Sequence, residues 1–297
     1  MTTDTPLKTA VVTGAASGSG YAIADRFTRE GWPVYGIDIN RDGLKRAADT
    51  LPRFTPIELD LSDLDAVMEL ADQIPGWVDI RGAADDTTPT AAPDLSAGQV
   101  EVLVNCAGKL RPGMSAGYRG RRYAYTIDSM LTAPALMTCM ALPAMHAISA
   151  ANGHADMTCG VVNVGSFYSI WGGAGKAGYL PAKWGLLGMT MGMGLESCAA
   201  TGLGVRHICL CPPHVNSPLL IPHQVQDESD MNGTTPEFRR DQLRRQIPAG
   251  KFAEPDADVA ALTWEWLTNP AHRFQTGCDL NFSGALTAGF PFETAGW

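Results

Sequence analysis

No CxxC pair occurs among the seven cysteines. An odd number of thiols scattered through apolar segments supports neither a disulfide framework nor a zinc site. Charge is sparse as well. Only 18% of the 297 residues are charged, and basic side chains are the minority, 22 against 31 acidic, for a net charge of −9. That balance argues against nucleic acid as a partner, while 45% hydrophobic content excludes a disordered chain. The opening residues, MTTDTPLKTAVVTG, lack the charged and apolar regions of a secretory signal, so a reducing cytoplasm is the simplest expected setting. No long apolar run is uninterrupted either. The most apolar stretch, Met130 to Ile148, contains Pro134, Thr138, Pro143 and His146, and reads as a buried helix at a subunit contact instead of a membrane span. There is no internal repeat, and one domain covering residues 1–297 is expected.

What is present alternates. Leu7 to Thr13 reads as a strand, Tyr21 to Glu30 has helical spacing, and WPVYGIDIN supplies a second strand. TPIELDLSD is a third strand ending at Asp60; Ser62 is expected to cap a helix reaching about Gln73, before the fourth strand VEVLVNCAG. A long helix from Met130 to Ala150 precedes a strand over Gly160 to Gly165, a helix over Tyr179 to Ala199 and a strand over Val205 to Cys211. An irregular segment to about Pro248, a helix and a final strand near Asp279 to Phe282 complete the chain. This order predicts an α/β fold with a parallel sheet covered by helices on both faces. The Pro-, Gly- and Asp-rich residues near 75–99 read as a surface insertion.

Two clusters carry chemistry. In TGAASGSG, Gly14 ends the first strand, Gly18 permits close approach of backbone to a pyrophosphate, and Gly20 lets the next helix pack against the sheet. The helix N-terminus would then face the phosphates. Asp38 closes the second strand, eighteen residues after Gly20, where it either accepts the hydroxyls of an adenine ribose or caps a turn. The first reading favours NAD over NADP, with Arg41 nearby as the opposing feature. Asp60 has the same two readings, an adenine contact or a helix cap. In the second cluster, Tyr179 and Lys183 are four residues apart, so a helix brings the phenol and the ammonium onto one face. A fixed cation is expected to lower the phenol from its ordinary pKa of about 10, fitting it to exchange a proton with an alcohol or ketone. Ser166 lies thirteen residues upstream.

TGAASGSG, NCAG at Asn105 to Gly108, YLPAK with Ser166 before it, CPPHVNSP and TGCDLNFSG occur in order and at compatible spacing. Together they resemble the short-chain dehydrogenase/reductase family over nearly the whole chain. The resemblance implies a Rossmann-type, doubly wound sheet of about seven parallel strands and hydride exchange with a nicotinamide. Tyr179 would be the general acid/base, Ser166 would polarise the substrate oxygen, and Lys183 would hold the nicotinamide ribose. The implied cofactor contacts are Gly14, Ser17, Gly18, Ser19, Gly20, Asp38, Ile39, Asp60, Leu61, Asn105, Ala107, Gly108, Lys183, Pro212, Val215 and Ser217. No metal is implied. Three positions depart from the family pattern: Met130 stands where an asparagine commonly anchors a relay water, Pro213 replaces a glycine, and Ser283 replaces an aspartate.

Weaker features concern the substrate. Phe167, Tyr168, Trp171, Met114, Met130 and His214 are expected near the pocket, suggesting a fairly bulky, partly apolar molecule, although each also reads as ordinary core. A lid is expected near 218–248, with His214 and His223 in or beside it. Arg111, Arg119, Arg121 and Arg122 would either hold an anionic substrate group or form a solvated face. Gly185, Gly188, Gly192 and Gly194 would admit a close neighbouring helix, in a homodimer or homotetramer or within one subunit. The expected activity is NAD-dependent interconversion of a secondary alcohol and a ketone. An NADPH-dependent ketoreductase and a non-catalytic dinucleotide-sensing protein on the same fold are the alternatives.

Overall fold

The computed structural model describes residues 8–81, 93, 99–110, 112–218, 220 and 225–287. Most of the expected insertion near 75–99 lies outside them, as do Arg111 and His223. Seven strands, β1 (Lys8–Thr13), β2 (Val34–Asp38), β3 (Phe54–Glu58), β4 (Gln99–Asn105), β5 (Cys159–Val164), β6 (Val205–Cys211) and β7 (Cys278–Asn281), form one parallel sheet. Its order is β3-β2-β1-β4-β5-β6-β7. The direction of winding therefore reverses at β1, and a crevice opens between the loops leaving β1 and β4. This is the Rossmann-type doubly wound architecture expected.

Alternation along each strand feeds two cores. Ala10, Val12, Val102, Val104, Val162 and Ile208 pack on one face against Ile23 and Phe27 of α1 (Gly18–Arg29) and Trp266 of α9 (Ala261–Thr268). Val11, Leu103 and Val161 face the other way, against Met137, Met140, Met145 and Ile148 of α5 (Ala133–Ala151). Burial on both faces explains why the strands read as continuous apolar runs. The other helices are α2 (Arg41–Thr50), α3 (Leu64–Met68), α4 (Gly120–Ile127), α6 (Tyr179–Thr201), α7 (Val225–Asn232) and α8 (Pro236–Arg245).

Three expectations need correction. Ser62 does not cap α3: its hydroxyl donates to Asp60 at 2.8 Å, and the Asp63 carboxylate takes the capping position by accepting from the Ala66 N–H at 3.1 Å. The long helix starts ten residues earlier than Met130, at Gly120, and passes through a π-helical turn over Asp128–Thr132 before α5. By length and composition Gly120–Ala151 is apolar enough to cross a membrane, but half of its most apolar window is buried within the protein. The segment to Pro248 is not irregular throughout, since it holds α7 and α8. The Thr235 side chain caps α8 and Pro236 opens it. Leu220, Val225, Leu243, Ile247 and Phe252 form a small core of their own there.

Several polar side chains inside the main core are joined to one another. Asn105 donates to Asn163 at 2.8 Å, and Asn163 donates to Thr190 at 2.9 Å. His207 of β6 is fully buried, with Nε2 2.9 Å from Ser197 Oγ. Burial, reinforced by His146, draws its pKa from 6.5 down to about 4. An unfolded His207 takes a proton below about 6.5, whereas the folded one does not until about 4. Stability should therefore fall as pH drops through that interval, by up to about 1.4 kcal/mol per pH unit from this group. Urea unfolding at a series of pH values checks this: His207→Gln should show a shallower slope, and an unchanged slope would clear His207.

Candidate active site

A cleft of about 580 Å³ lies at the carboxyl ends of the strands. Gly14, Ser17, Gly18, Ser19 and Gly20 line it after β1. Gly14 and Gly18 have φ of +72° and +57°, a backbone that favours glycine. A Cβ on Gly14 would sit 3.0 Å from the Ala107 Cα, and one on Gly20 would collide with the Gly14 carbonyl. The turn after β4 is tied to the same place, because Thr13 Oγ1 accepts from the N–H groups of Cys106 and Ala107 at 3.0 and 2.9 Å. Ser17 makes no side-chain cap at the start of α1. Backbone N–H groups of that first turn are thus left for another acceptor, and the glycine cradle fits a dinucleotide pyrophosphate.

Asp38, Ile39, Asp60 and Leu61 line the next part of the cleft. The Asp38 carboxylate accepts from the Ala16 N–H at 3.1 Å and from the Asn40 N–H at 2.8 Å, which fixes it against the glycine turn. Arg41 is turned toward Glu58, 3.5 Å away, and is not on the wall. Ala107, Gly108, Pro212, Val215 and Ser217 also line the cleft. Ser217 packs against Gly18, its Cβ 3.2 Å from where a Gly18 Cβ would stand, so the chain leaving β6 closes over the glycine turn.

Ser166 follows β5 and Tyr179 opens α6, placing Lys183 one turn further along. All three line the cleft. The Ser166 side chain caps the short turn Phe167–Ser169 by accepting from the Tyr168 N–H at 3.2 Å. It also hydrogen-bonds the Tyr179 phenol. Lys183 is buried and donates to the Val164 carbonyl at 2.7 Å; its Nζ lies 5.7 Å from the centre of the Tyr179 ring. The expectation of a lowered phenol pKa is reversed here. Burial pushes Tyr179 up to about 12, opposed by the Ser166 hydrogen bond, because withdrawing the phenolate from water outweighs the stabilisation available to it. Burial also lowers Lys183. The phenol is therefore neutral and proton-bearing at pH 7.

The sequence profile of the short chain dehydrogenases matches residues 8–227. This chain belongs to that family. It is 26% identical over 283 residues to a 3-oxoacyl-(acyl-carrier-protein) reductase of Thermotoga maritima, covering 94% of this chain and 97% of the relative. It is 28% identical over 280 residues to a D-threitol dehydrogenase of Mycolicibacterium smegmatis, covering 94% and 93%. Among solved structures, an actinorhodin polyketide ketoreductase with NADPH superposes with a TM-score of 0.75 at 24% identity, over 94% of this chain and 97% of the other. This short chain dehydrogenase is an oxidoreductase acting on alcohol and ketone groups. Its family uses NAD(P)(H), and the reading as a non-catalytic sensing protein falls away.

Several expected positions are elsewhere. Asn105 is not on the wall of the cleft; its amide is buried in the Asn163 and Thr190 network beneath it. Met114 is 59% exposed and off the wall, because Gly113 bridges to Lys176 and a short turn follows. Trp171 is exposed as well. Arg119 and Arg121 are exposed, while Arg122 donates to the Pro112 carbonyl at 2.9 Å and stacks on Tyr118; none of them lines the cleft. Phe167, Tyr168 and His214 do line it. Met130 is buried, with Sδ 3.0 Å from where a Gly108 Cβ would be, and Ser129 donates to the Tyr125 carbonyl at 2.7 Å. Arg46 lines the wall with no signal in the sequence, whereas Cys106 lies within NCAG, Lys109 and Tyr125 bound the arginine-bearing stretch expected near the substrate, and Leu220 falls in the expected lid.

The Asn105 placement is testable. Asn105→Ala should strip Asn163 of its buried donor and cost about 1–3 kcal/mol of stability, with dinucleotide affinity changed only a few-fold. Thermal unfolding and fluorescence titration with NADH separate these effects. A large loss of affinity without loss of stability would restore Asn105 to the cofactor site.

Proposed function

We propose that the chain is an NAD-dependent oxidoreductase interconverting a secondary alcohol and a ketone on a moderately large, partly apolar, cyclic molecule. The observation that carries this is the convergence of Ser166, Tyr179 and Lys183 on one cleft whose other end presents the Asp38 carboxylate. When bound, the dinucleotide supplies or accepts the hydride. The Gly14 to Gly20 turn holds its pyrophosphate, and Asp38 accepts from the adenine ribose hydroxyls. Ile39, Asp60, Leu61, Ala107 and Gly108 flank the adenosine; Pro212, Val215 and Ser217 flank the nicotinamide. Ser166 and Tyr179 grip the substrate oxygen. A neutral phenol is the acid that carbonyl reduction needs: Tyr179 donates its proton to the oxygen as negative charge develops there. The buried Lys183 cation, also placed to hold the nicotinamide ribose, stabilises the phenolate left behind. Oxidation runs the same proton transfer backwards.

Phe167, Tyr168, Tyr125 and His214 give the substrate end aromatic walls, suited to a cyclic reactant. Of the cations between residues 109 and 125, Lys109 alone is on the wall among the described residues, so that stretch offers an anionic group one ammonium and no guanidinium fork. Burial of His214, with Lys176 beside it, draws its pKa down to about 4, so it offers a neutral imidazole. An NADPH-linked ketoreductase is the second reading, and the position of Arg46 on the wall favours it. We further place the chain in the cytoplasm as a homodimer or homotetramer. On α6, Gly185 packs on Leu131 and Gly194 on Gly277, whereas Gly188 and Gly192 lie open beside exposed Trp184, Met191 and Leu195. The outer face of that helix is suited to a second copy.

Turnover of a panel of cyclic and acyclic alcohols and ketones, followed by NADH absorbance, tests the activity. Tyr179→Phe should lower kcat by about 10²–10⁴-fold while NADH affinity stays within a few-fold; unchanged turnover would remove Tyr179 as the acid. For cofactor choice, Asp38→Ala should move the kcat/KM ratio toward NADPH by about tenfold or more, the equivalent of roughly 1.4 kcal/mol. A wild-type enzyme that already prefers NADPH would overturn the role of Asp38.

A further inference from the structure

Three ionic side chains outside the cleft are drawn together beneath the lid. Lys176 and Glu228 are both buried and form an ion pair, and Glu228 also accepts from Arg239, whose Nε is 2.7 Å away. Glu228 belongs to α7 and Arg239 to α8, so this pair fastens the two lid helices to each other. Lys176 belongs to neither. It lies three residues before Tyr179, its carbonyl accepts from the Leu180 N–H at 2.9 Å, and it thereby anchors the first turn of α6. Its Nζ is 5.7 Å from the centre of the Tyr168 ring, and that ring stands edge-on to Tyr179 with centroids 6.2 Å apart. Gly173 leaves room for Tyr168, because a Cβ there would collide with it.

Burying a cation and an anion, with the half-buried Arg239 beside them, is costly unless their geometry is held, so such a group specifies a position more than it stabilises a fold. We propose that Glu228 and Lys176 are positioning residues, which couple the seating of the α7–α8 lid to the placement of Tyr179 at the head of α6. The lid contributes Leu220 to the cleft and carries Glu228 on its first helix. Seating it brings the carboxylate to Lys176, which holds Tyr168 and the first turn of α6 where the phenol meets Ser166. Displacing it takes the anion from Lys176 and uncovers the ammonium, which then turns to water and no longer holds the turn before Tyr179. The inference rests on the reading of Tyr179 as the acid/base.

Lys176→Met tests it most directly, because the Glu228 to Arg239 pair within the lid is left intact. Hydrogen exchange on the whole protein without substrate should show the Leu180 amide exchanging about tenfold faster, well beyond any change at the α1 amides. With the fastest ketone of the panel, kcat should fall by about ten- to a hundredfold, while NADH affinity stays within twofold. Glu228→Gln should do the same and also speed exchange in α7; Glu228→Asp should recover part of kcat. A lowered melting temperature with Leu180 exchange and kcat both within twofold of wild type would overturn the proposal and leave the group a plain stabiliser. If no ketone turns over, the proposed activity fails, and the exchange measurement still decides whether the lid and the head of α6 are coupled.

Discussion

The reversal of winding at β1 is the constraint on which the rest depends. With β2 on one side and β4 on the other, β1 delivers Gly14 to the crevice between the loops leaving β1 and β4. Every parallel strand then ends at the same edge. Asp38, Asp60, Ala107, Ser166 and Pro212, far apart in the chain, arrive there because each ends a strand or lies within two residues of a strand end. The Thr13 hydroxyl, accepting from two amides after β4, ties that turn to the end of β1.

Desolvation sets the electrostatics of this cleft. The same burial that raises Tyr179 lowers Lys183 and His214, and it raises the Cys106 thiol to about 12. Each group is pushed toward its uncharged form. The phenol, the imidazole and the thiol are thereby kept neutral beside the Lys183 ammonium, which is held by the Val164 carbonyl, while Asp38, Arg46, Asp60 and Lys109 bring further ionic side chains to the wall.

Much of the site was legible because its residues are tied to strand ends and helix starts. Seven strands and most helices follow from apolar runs and the positions of glycine, and the Ser166, Tyr179 and Lys183 spacing places all three on one wall. Asn105 misled because adjacency to Ala107 and Gly108 says nothing about which way a strand-terminal side chain points; the pleat turns it into the core. Met114 misled for a similar reason, since the bridge from Gly113 to Lys176 turns that segment outward. The α7 and α8 helices were hidden by their shortness and their charge, which read as loop.

The order of the seven strands, the glycine turn and the choice of Ser166, Tyr179 and Lys183 as candidate groups were determined by the sequence alone, because each depends on residues close together in the chain. The tertiary structure alone decided the protonation of Tyr179, the burial of Asn105 and the meeting of Lys176 with Glu228 across fifty-two residues. These depend on how much water is excluded and on which distant segments share a volume. Local pattern carries neither quantity, since both arise only when the sheet, α6 and the lid have packed.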